Sequence, residues 1–383
     1  MNVCLNALYF VPGKMGGTET YFRELVRHLP LAGCDDAFTV FTNTKYRGEF
    51  NGIEGVEVKS VVRYERPDAR WFFRGIMHKS IGIDLYAPKL AKVKADIIHY
   101  PFTIMTPQVT DRPTVLTFWD MQHEFYPEFF SKKDLEFRSK MYKKSVQQAT
   151  CVIVSAEFTK QCLVERYAID QNKIKVVHTG YSPDFRVIRN DPEINDVRAR
   201  YGLDRPFMYY PAATWPHKNH CLLLEALKLL VDRRHFDGML VLSGVAMNQH
   251  GEIMQKVRTL GIEKHVKVLG YLPYADLPYL YNMARLMVFP SLFEGFGIPL
   301  VEAMACGCPV VASNCTSIPE VVSDSGKLFD PTSIEDISAT IWDIWSSENE
   351  LSDMSEKGLR RVTKFTWEET AHKTLGVYYK AWH

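Results

Sequence analysis

Two carboxylates flank a glycine-containing turn in the second half of the chain. Glu294 precedes Gly295 and Gly297, and Glu302 follows with seven residues between the two acids. The apolar run before the turn predicts a buried strand, and Pro299 after it is typical of the first turn of a helix. A glycine loop that opens a helix exposes backbone N–H groups and the positive end of the helix dipole, which suit phosphate. Carboxylates accept hydrogen bonds from sugar hydroxyls, so the pattern predicts a site for a nucleotide sugar.

A second group of residues follows the predicted strand 207–210. It reads Pro-His-Lys-Asn-His at positions 216–220 and leads into an apolar-periodic helix. The ammonium of Lys218, at this loop-to-helix junction, can contact phosphate oxygens; the alternative is an ordinary solvated lysine. Gly244 and the pair Gly270-Tyr271 end two further predicted strands, where open α/β sheets bind ligands. For each glycine, a plain turn is the alternative interpretation.

At these residues the chain resembles a known family. The stretch 289–320 is similar to the Glu-x7-Glu signature of the retaining glycosyltransferases of family 4, which have the GT-B fold. The resemblance implies that Glu294 contacts the donor sugar and that Glu302 binds the ribose hydroxyls. It also implies that the intervening helix start receives the donor diphosphate through Gly297, Ile298 and Leu300.

The same resemblance assigns roles to the other loops of the second half. Relatives carry Pro-Arg-Lys-Asn where this chain has Pro216 to Asn219, so Lys218 is expected to bind the diphosphate, with His217 in place of the arginine. Gly244 and Tyr271 are expected to lie at the nucleotide, with the backbone after Gly270 against the nucleobase.

The alternation of β-rich runs and helical patterns predicts an α/β fold with parallel sheets. A chain of 383 residues suits two domains rather than one core. Together with the resemblance, this predicts GT-B architecture, two Rossmann-like domains facing across a deep cleft. We expect an N-terminal acceptor domain, 1–185, completed by a crossover helix at about 367–383. The C-terminal nucleotide-sugar-binding domain is expected at 186–366.

The loop after the first predicted strand contains a glycine pair. It is not a Gly-x-Gly-x-x-Gly fingerprint, which disfavours a Rossmann oxidoreductase. Gly16, Gly17 and Glu19 instead resemble the Gly-Gly-x-Glu loop of the family. The resemblance implies that the backbone of the glycine pair approaches the donor phosphate and that Glu19 contacts the acceptor; a plain turn before a helix is the alternative.

The segment 117–130 resembles the His-Asp loop of the family. Relatives read His-Asp-Leu-Gln-His, so Trp119 replaces the first histidine while Asp120 and His123 match. The resemblance implies that Asp120 binds the acceptor and that His123 is catalytic, taking over part of the task of the missing histidine. The alternative is that His123 is a structural residue.

Composition restricts the possible partners. A net charge of +1 gives no general attraction to nucleic acid, and no run of about 18 apolar residues predicts a membrane span. We therefore predict a cytoplasmic protein. The basic and aromatic residues between Arg63 and Lys94 are typical of an interfacial helix, so contact with the inner face of the membrane is a further hypothesis; a solvated face is the alternative.

The expected reaction is retaining transfer of a hexose from a nucleoside diphosphate sugar to a hydroxyl of a glycan or lipid-linked glycan in polysaccharide biosynthesis. Glu294, Lys218 and His123 are the expected catalytic residues, and GDP-mannose is the favoured donor. The chain has no Asp-x-Asp pair, so we expect no metal and no cofactor. The alternatives are a non-catalytic GT-B protein that binds a nucleotide or a partner, and a sugar-nucleotide epimerase or phosphorylase.

Overall fold

The structure is a computed structural model that describes residues 1–33, 35–63, 69, 84–189 and 191–383. The chain forms two compact units. The N-terminal unit consists of Met1–Gly180 and Trp367–His383, and the C-terminal unit consists of Tyr181–Thr366. Each unit contains its own parallel sheet with helices packed against it, so the predicted α/β class is confirmed.

The N-terminal unit has a seven-stranded parallel sheet in the order β3-β2-β1-β4-β5-β6-β7. Its strands are β1 (Asn2–Ala7), β2 (Ala37–Asn43), β3 (Val56–Val61), β4 (Ile97–Tyr100), β5 (Thr114–Phe118), β6 (Cys151–Val154) and β7 (Ile174–Val176). Its first helices are α1 (Gly17–His28), α2 (Ala87–Ala91), α3 (Lys132–Gln148) and α4 (Glu157–Tyr167). Strands β4 and β5 are buried along their whole length and β1 is buried after its first residue, as expected where helices cover both faces of a parallel sheet.

The C-terminal unit has a six-stranded parallel sheet in the order β10-β9-β8-β11-β12-β13. Its strands are β8 (Phe207–Pro211), β9 (Met239–Ser243), β10 (Val266–Gly270), β11 (Leu286–Phe289), β12 (Val310–Ser313) and β13 (Lys327–Phe329). Its helices are α5 (Glu193–Tyr201), α6 (His220–Arg234), α7 (His250–Leu260), α8 (Leu277–Met283), α9 (Ile298–Ala305), α10 (Ile318–Val322), α11 (Ile334–Trp345) and α12 (Glu348–Val362). Because β8 lies between β9 and β11, the loops that follow these strands meet at one edge of the sheet.

The last helix, α13 (Trp367–Trp382), packs in the core of the N-terminal unit. Trp367 and Tyr378 are buried there beside the residues of β1 and α1. The hydroxyl of Tyr378 lies 2.7 Å from Nδ1 of His99, whose Nε2 lies 2.8 Å from Oγ1 of Thr117. Burial lowers the pKa of His99 to about 3, so the ring is neutral at physiological pH. The histidine thus connects α13 to β4 and β5.

Helix starts differ between the scaffold and the predicted site. Ser333 and Ser347 cap α11 and α12 by accepting the N–H of Asp336 and of Glu350. Helices α6 and α9, in contrast, follow the positive-φ residues Asn219 and Gly297, and neither has a side-chain cap. Their first turns therefore keep backbone donors that side chains do not cover.

Among the described residues, no helix is both long and apolar enough to cross a bilayer. Most of the segment Arg63 to Lys94, including 64–68 and 70–83, lies outside the described residues. The membrane contact predicted for this segment therefore stays a prediction.

Candidate active site

Lys218 and Glu294, two predicted catalytic residues, form an ion pair in the C-terminal unit. Nζ of Lys218 lies 2.6 Å from Oε1 of Glu294. Lys218 follows β8 and Glu294 follows the adjacent strand β11. The exposed fraction of the side chain is 18% for Lys218 and 12% for Glu294. The pair is therefore partly shielded from water, which strengthens its electrostatic interaction relative to a surface pair.

The Lys218 loop is held by hydrogen bonds to two of its backbone carbonyls. Pro216–Lys218 forms a single 3-10 turn. The hydroxyl of Tyr210 donates to the Lys218 carbonyl at 2.8 Å, and the N–H of Leu292 donates to the His217 carbonyl at 2.8 Å. Burial, reinforced by the charge of Lys218, lowers the pKa of His217 to about 3. His217 is therefore neutral at physiological pH and does not replace the positive charge of the family's arginine.

The Glu294 loop is held by two residues that sequence reasoning missed. The N–H of Glu294 donates to Oγ1 of Thr316 at 3.2 Å. Oγ of Ser317 donates to the carbonyls of Glu294 and Phe296, at 3.0 and 3.3 Å. Thr316 itself has a φ of 55°, which is rare for a β-branched residue. The available signal was a run of short polar side chains at the end of the buried strand β12.

Helix α9 begins as an anion site requires. Gly297 has a φ of 96°, and a Cβ there would lie 2.9 Å from Cδ1 of Leu300. Within the part of the chain that the structure describes, the N–H groups of Gly297 and Ile298 donate no hydrogen bond. Two free donors at the positive end of a helix favour binding of a phosphate.

Leu300 differs from Gly297 and Ile298 in the hydrogen bonding of its N–H group. Its N–H donates to the Gly297 carbonyl at 2.9 Å, and its side chain is fully buried in the core. An amide that is already bonded within the helix start is not free for a ligand. The free N–H groups at the start of α9 are therefore those of Gly297 and Ile298, and the predicted donor binding by Leu300 stays a prediction.

Glu302 lies in the second turn of α9 and is only 8% exposed. Its Oε2 accepts a hydrogen bond of 3.1 Å from the hydroxyl of Tyr281. Burial raises the pKa of Glu302 to about 7, although the bond from Tyr281 acts in the opposite direction. Near neutral pH the carboxyl therefore exists in both protonation states, so its hydrogen bonding changes in this range.

Gly244 and Tyr271 occupy the neighbouring loops. Gly244 has a φ of 130°, and a Cβ there would lie 2.5 Å from the Ala212 carbonyl oxygen, so only glycine fits. Its N–H donates to the Gly270 carbonyl at 2.8 Å. Glycine is therefore required at this position because the loops after β8, β9 and β10 approach one another closely. Tyr271 is 76% exposed and thus accessible to a ligand.

The glycine loop of the N-terminal unit is closed by Glu19. Gly16 has a φ of 55° and precedes α1, of which Gly17 is the first residue. Oε2 of Glu19 accepts the N–H of Gly13 at 2.7 Å, and Oε1 accepts from Arg23 at 3.0 Å. Both carboxylate oxygens hold the loop, so a bond from Glu19 to an acceptor would have to be shared with these contacts.

His123 is packed inside the N-terminal unit. Its side chain is 1% exposed, with Nε2 3.3 Å from the Tyr167 hydroxyl and the ring edge-on to Tyr142 at 5.0 Å. Burial lowers the pKa of His123. A buried neutral ring is typical of a structural histidine, and the catalytic role of His123 stays a prediction.

The residues before His123 are also held by the chain. Nε1 of Trp119, in the position of the family's first histidine, donates to the Pro101 carbonyl at 2.9 Å. Its ring lies edge-on to Tyr21 at 4.6 Å. Oδ1 of Asp120 accepts the N–H of Gln122 at 3.1 Å, which forms a local turn. Trp119 is therefore anchored in the fold of this loop.

Comparison with known proteins identifies the family. Residues 193–361 match the family model described as glycosyl transferases group 1, and residues 15–185 match the model described as glycosyltransferase family 4. The chain is 32% identical to O-antigen chain mannosyltransferase B of Escherichia coli over 94% of its own length and 95% of that protein. It is 29% identical to the serotype-specific mannosyltransferase WbdA of Escherichia coli over 65% of its own length, which corresponds to 30% of WbdA.

Solved structures show the same fold. Sucrose-phosphate synthase from Thermosynechococcus elongatus superposes with a TM-score of 0.76 at 20% identity, covering 99% of this chain and 98% of that one. HepE of Anabaena, in complex with UDP and glucose, gives a TM-score of 0.74 at 19% identity and covers 99% of both chains. The chain therefore has the predicted GT-B fold with two Rossmann-like domains, belongs to the group 1, or family 4, glycosyltransferases and is a hexosyltransferase.

Proposed function

We propose that this enzyme transfers mannose from GDP-mannose, with retention of configuration, to a hydroxyl of a glycan or lipid-linked glycan during polysaccharide biosynthesis. The mannose and the polysaccharide acceptor are supported by the O-antigen mannosyltransferase that resembles the chain over almost its whole length. The observation that carries the chemistry is the ion pair between Lys218 and Glu294, because Glu294 lies three residues before Gly297, where the free N–H groups at the start of α9 begin.

The leaving diphosphate is stabilised by protein groups in this proposal. The Lys218 ammonium and the N–H groups of Gly297 and Ile298 donate to its oxygens. Charge that develops on the diphosphate as the glycosidic bond breaks is then met by donors that are already in place. The reaction needs no metal ion in this scheme, because a lysine and a helix start neutralise the leaving group.

Retention is assigned to substitution on a single face of the sugar. A carboxylate nucleophile beneath the ring is the other route to retention. Glu294 is poorly suited to attack, because its Oε1 already contacts the Lys218 ammonium at 2.6 Å. We therefore assign Glu294 to hydrogen bonding of donor sugar hydroxyls. The departing phosphate, held by Lys218, takes the proton of the acceptor hydroxyl.

The remaining predicted residues have supporting roles in the proposal. Glu302 binds the ribose, and the exposed Tyr271 and the backbone after Gly270 meet the nucleobase. In the N-terminal unit, the backbone of Gly16 and Gly17 contacts donor phosphate. Glu19 and Asp120 contact the acceptor. By this assignment the C-terminal unit supplies most of the donor contacts, and the N-terminal unit supplies the acceptor contacts and one contact to donor phosphate.

The proposed location is the cytoplasm, with contact to the inner face of the membrane through the basic segment Arg63 to Lys94. Lysine and arginine residues interleaved with aromatic ones are attracted to anionic lipid. Liposome flotation with and without anionic lipid measures this contact. Binding that is equal for both liposomes, or unchanged in an Arg70→Glu, Arg74→Glu variant, would contradict it.

The second candidate is a non-catalytic protein of the same fold that binds a nucleotide. It is favoured by Trp119 in the position of the family's histidine, anchored to Pro101. Incubation with a panel of nucleotide sugars and a mannan-type acceptor, followed by NMR of the new anomeric centre, separates the two candidates. The α-anomer formed from GDP-mannose supports the proposal. Nucleotide binding detected by thermal shift without product supports the second candidate.

A further inference from the structure

Asn219, directly after Lys218, has an unusual backbone. Its φ of 59° and ψ of 33° place it in the left-handed region, which asparagine tolerates better than most residues other than glycine. The residue is also buried, with 6% of its surface exposed. A buried polar side chain needs hydrogen-bond partners, so the position is restricted in both backbone and side chain.

The side chain of Asn219 connects three loops. It occupies the N-cap position of α6 but makes no capping bond. Instead its Nδ2 donates to the carbonyl of Pro290 at 3.1 Å and to that of Pro331 at 2.8 Å. Pro290 directly follows β11 and starts the loop that carries Glu294, whereas Pro331 follows β13. The amide group thus fixes the Lys218 loop to the loop of its ionic partner.

The contacts of Asn219 continue those on the other side of Lys218. Tyr210 holds the Lys218 carbonyl and Leu292 holds the His217 carbonyl. Hydrogen bonds therefore hold the backbone at Lys218 and at the residues directly before and after it. A lysine has a long side chain with several rotatable bonds, so the position of its ammonium depends on a fixed starting point.

We infer that Asn219 is a positioning residue for the Lys218 ammonium. By holding the loop after β8 against the loop after β11, it keeps Nζ at the point where Glu294 and the donor diphosphate meet. This inference rests on the proposed role of Lys218 in binding the diphosphate. Asn219 itself touches neither donor nor acceptor in this assignment.

Two substitutions separate the side chain from the backbone. Asn219→Gly keeps the left-handed conformation but removes both donated bonds, whereas Asn219→Asp keeps the shape but turns a carboxylate toward two carbonyl oxygens. We expect kcat/KM to fall about tenfold in Asn219→Gly, because the Lys218 ammonium is then no longer held in one position. The loss should be larger in Asn219→Asp, because the carboxylate repels the two carbonyl oxygens. The matched control is His235→Gly, at the exposed left-handed residue (φ 53°) that ends the same helix. It should leave kcat/KM unchanged.

A double-mutant cycle distinguishes positioning from a general loss of structure. Asn219→Gly is measured alone and in a Lys218→Ala background, by kcat/KM and by the increase in Tm that GDP produces. If Asn219 acts through Lys218, the second substitution adds little once the lysine is gone. Wild-type kcat/KM in Asn219→Gly, or a full tenfold loss in the Lys218→Ala background, overturns the inference. Full activity of Lys218→Ala alone instead overturns the proposed function, and the inference with it.

Discussion

The ammonium of Lys218 and the carboxylate of Glu294 meet at 2.6 Å although 76 positions separate them in the chain. They do so because β8 and β11 are neighbours in a parallel sheet, so that the loops after both strands emerge at the same edge. Two motifs that are separate in the sequence thus form one charged unit. A donor that brings its own negative charge to Lys218 must share the ammonium with Glu294.

Removal of either member of this pair should abolish most of the activity. We expect Lys218→Ala and Glu294→Ala each to lower turnover at least about a hundredfold, the scale for loss of one preorganised electrostatic contact. Steady-state rates with GDP-mannose and acceptor measure the effect. Lys228→Ala is the matched control, since it breaks an exposed lysine–aspartate pair on α6. Near-normal rates in both site variants would exclude the proposed mechanism.

The helix start at α9 should tolerate no side chain at Gly297. Alanine at this position would have an unfavourable φ of 96°, and its Cβ would lie only 2.9 Å from Cδ1 of Leu300. The loop must therefore shift, and its free N–H groups move with it. We expect KM for the donor to rise at least about tenfold, as for misplacement of a binding group. Gly376→Ala provides the control, because that glycine lies within α13 and a Cβ there meets nothing within 4 Å. The control should keep its KM and gain a little helix stability; an unchanged KM in Gly297→Ala would argue against the anion site.

Burial of Glu302 should make stability depend on pH in an unusual direction. Its pKa rises from 4.5 to about 7 on folding, so the folded state binds the proton more tightly than the unfolded state. The free energy of unfolding should therefore contain a contribution that is present below pH 4.5 and is lost as pH rises to about 7. Denaturant titrations of wild type and Glu302→Gln across this range measure it. The glutamine variant should lack this decline, and parallel curves for both proteins would contradict the burial of the carboxyl.

Loss of the Tyr378 hydroxyl should destabilise the N-terminal unit. Tyr378→Phe leaves Nδ1 of His99 buried without its 2.7 Å partner, which should cost about 1–3 kcal/mol. Tyr379→Phe serves as the control, since the bond from its hydroxyl to Asp36 is exposed and water can replace it. Chemical denaturation of the three proteins gives the comparison. Equal stabilities of the two variants would mean that His99 finds another partner.

The sequence predicted those parts of the site that local patterns encode. Glu294, Lys218 and Gly297 follow apolar runs that become strands, and their types match the chemistry of a sugar phosphate. The sequence also predicts Gly244 as a site residue, whereas the structure explains this glycine by the close approach of the loops around it. A Cβ on Gly244 would lie 2.5 Å from the Ala212 carbonyl oxygen. This contact depends on how two loops that are distant in sequence pack together, so no local sequence pattern predicts it.

The supporting contacts were beyond sequence reasoning for the same reason. Thr316, Ser317 and Asn219 act through hydrogen bonds to residues that are 20 or more positions away, such as Glu294 and Pro331. Short polar residues of this kind are common in any loop. The burial of His123 likewise depends on Tyr167, which lies 44 positions further along the chain.

Helix α13 follows the C-terminal unit in the chain but packs in the N-terminal unit, which affects the order in which the two units can fold during protein synthesis. Trp367 and Tyr378, together with further residues of α13, complete a core whose remaining members come from the first 180 residues. On the ribosome, domains generally fold in the order in which they are made. Here the N-terminal unit lacks part of its core until α13 has been synthesised. The C-terminal unit, Tyr181–Thr366, has all of its residues before that point. The second unit made can thus be the first to reach its final structure.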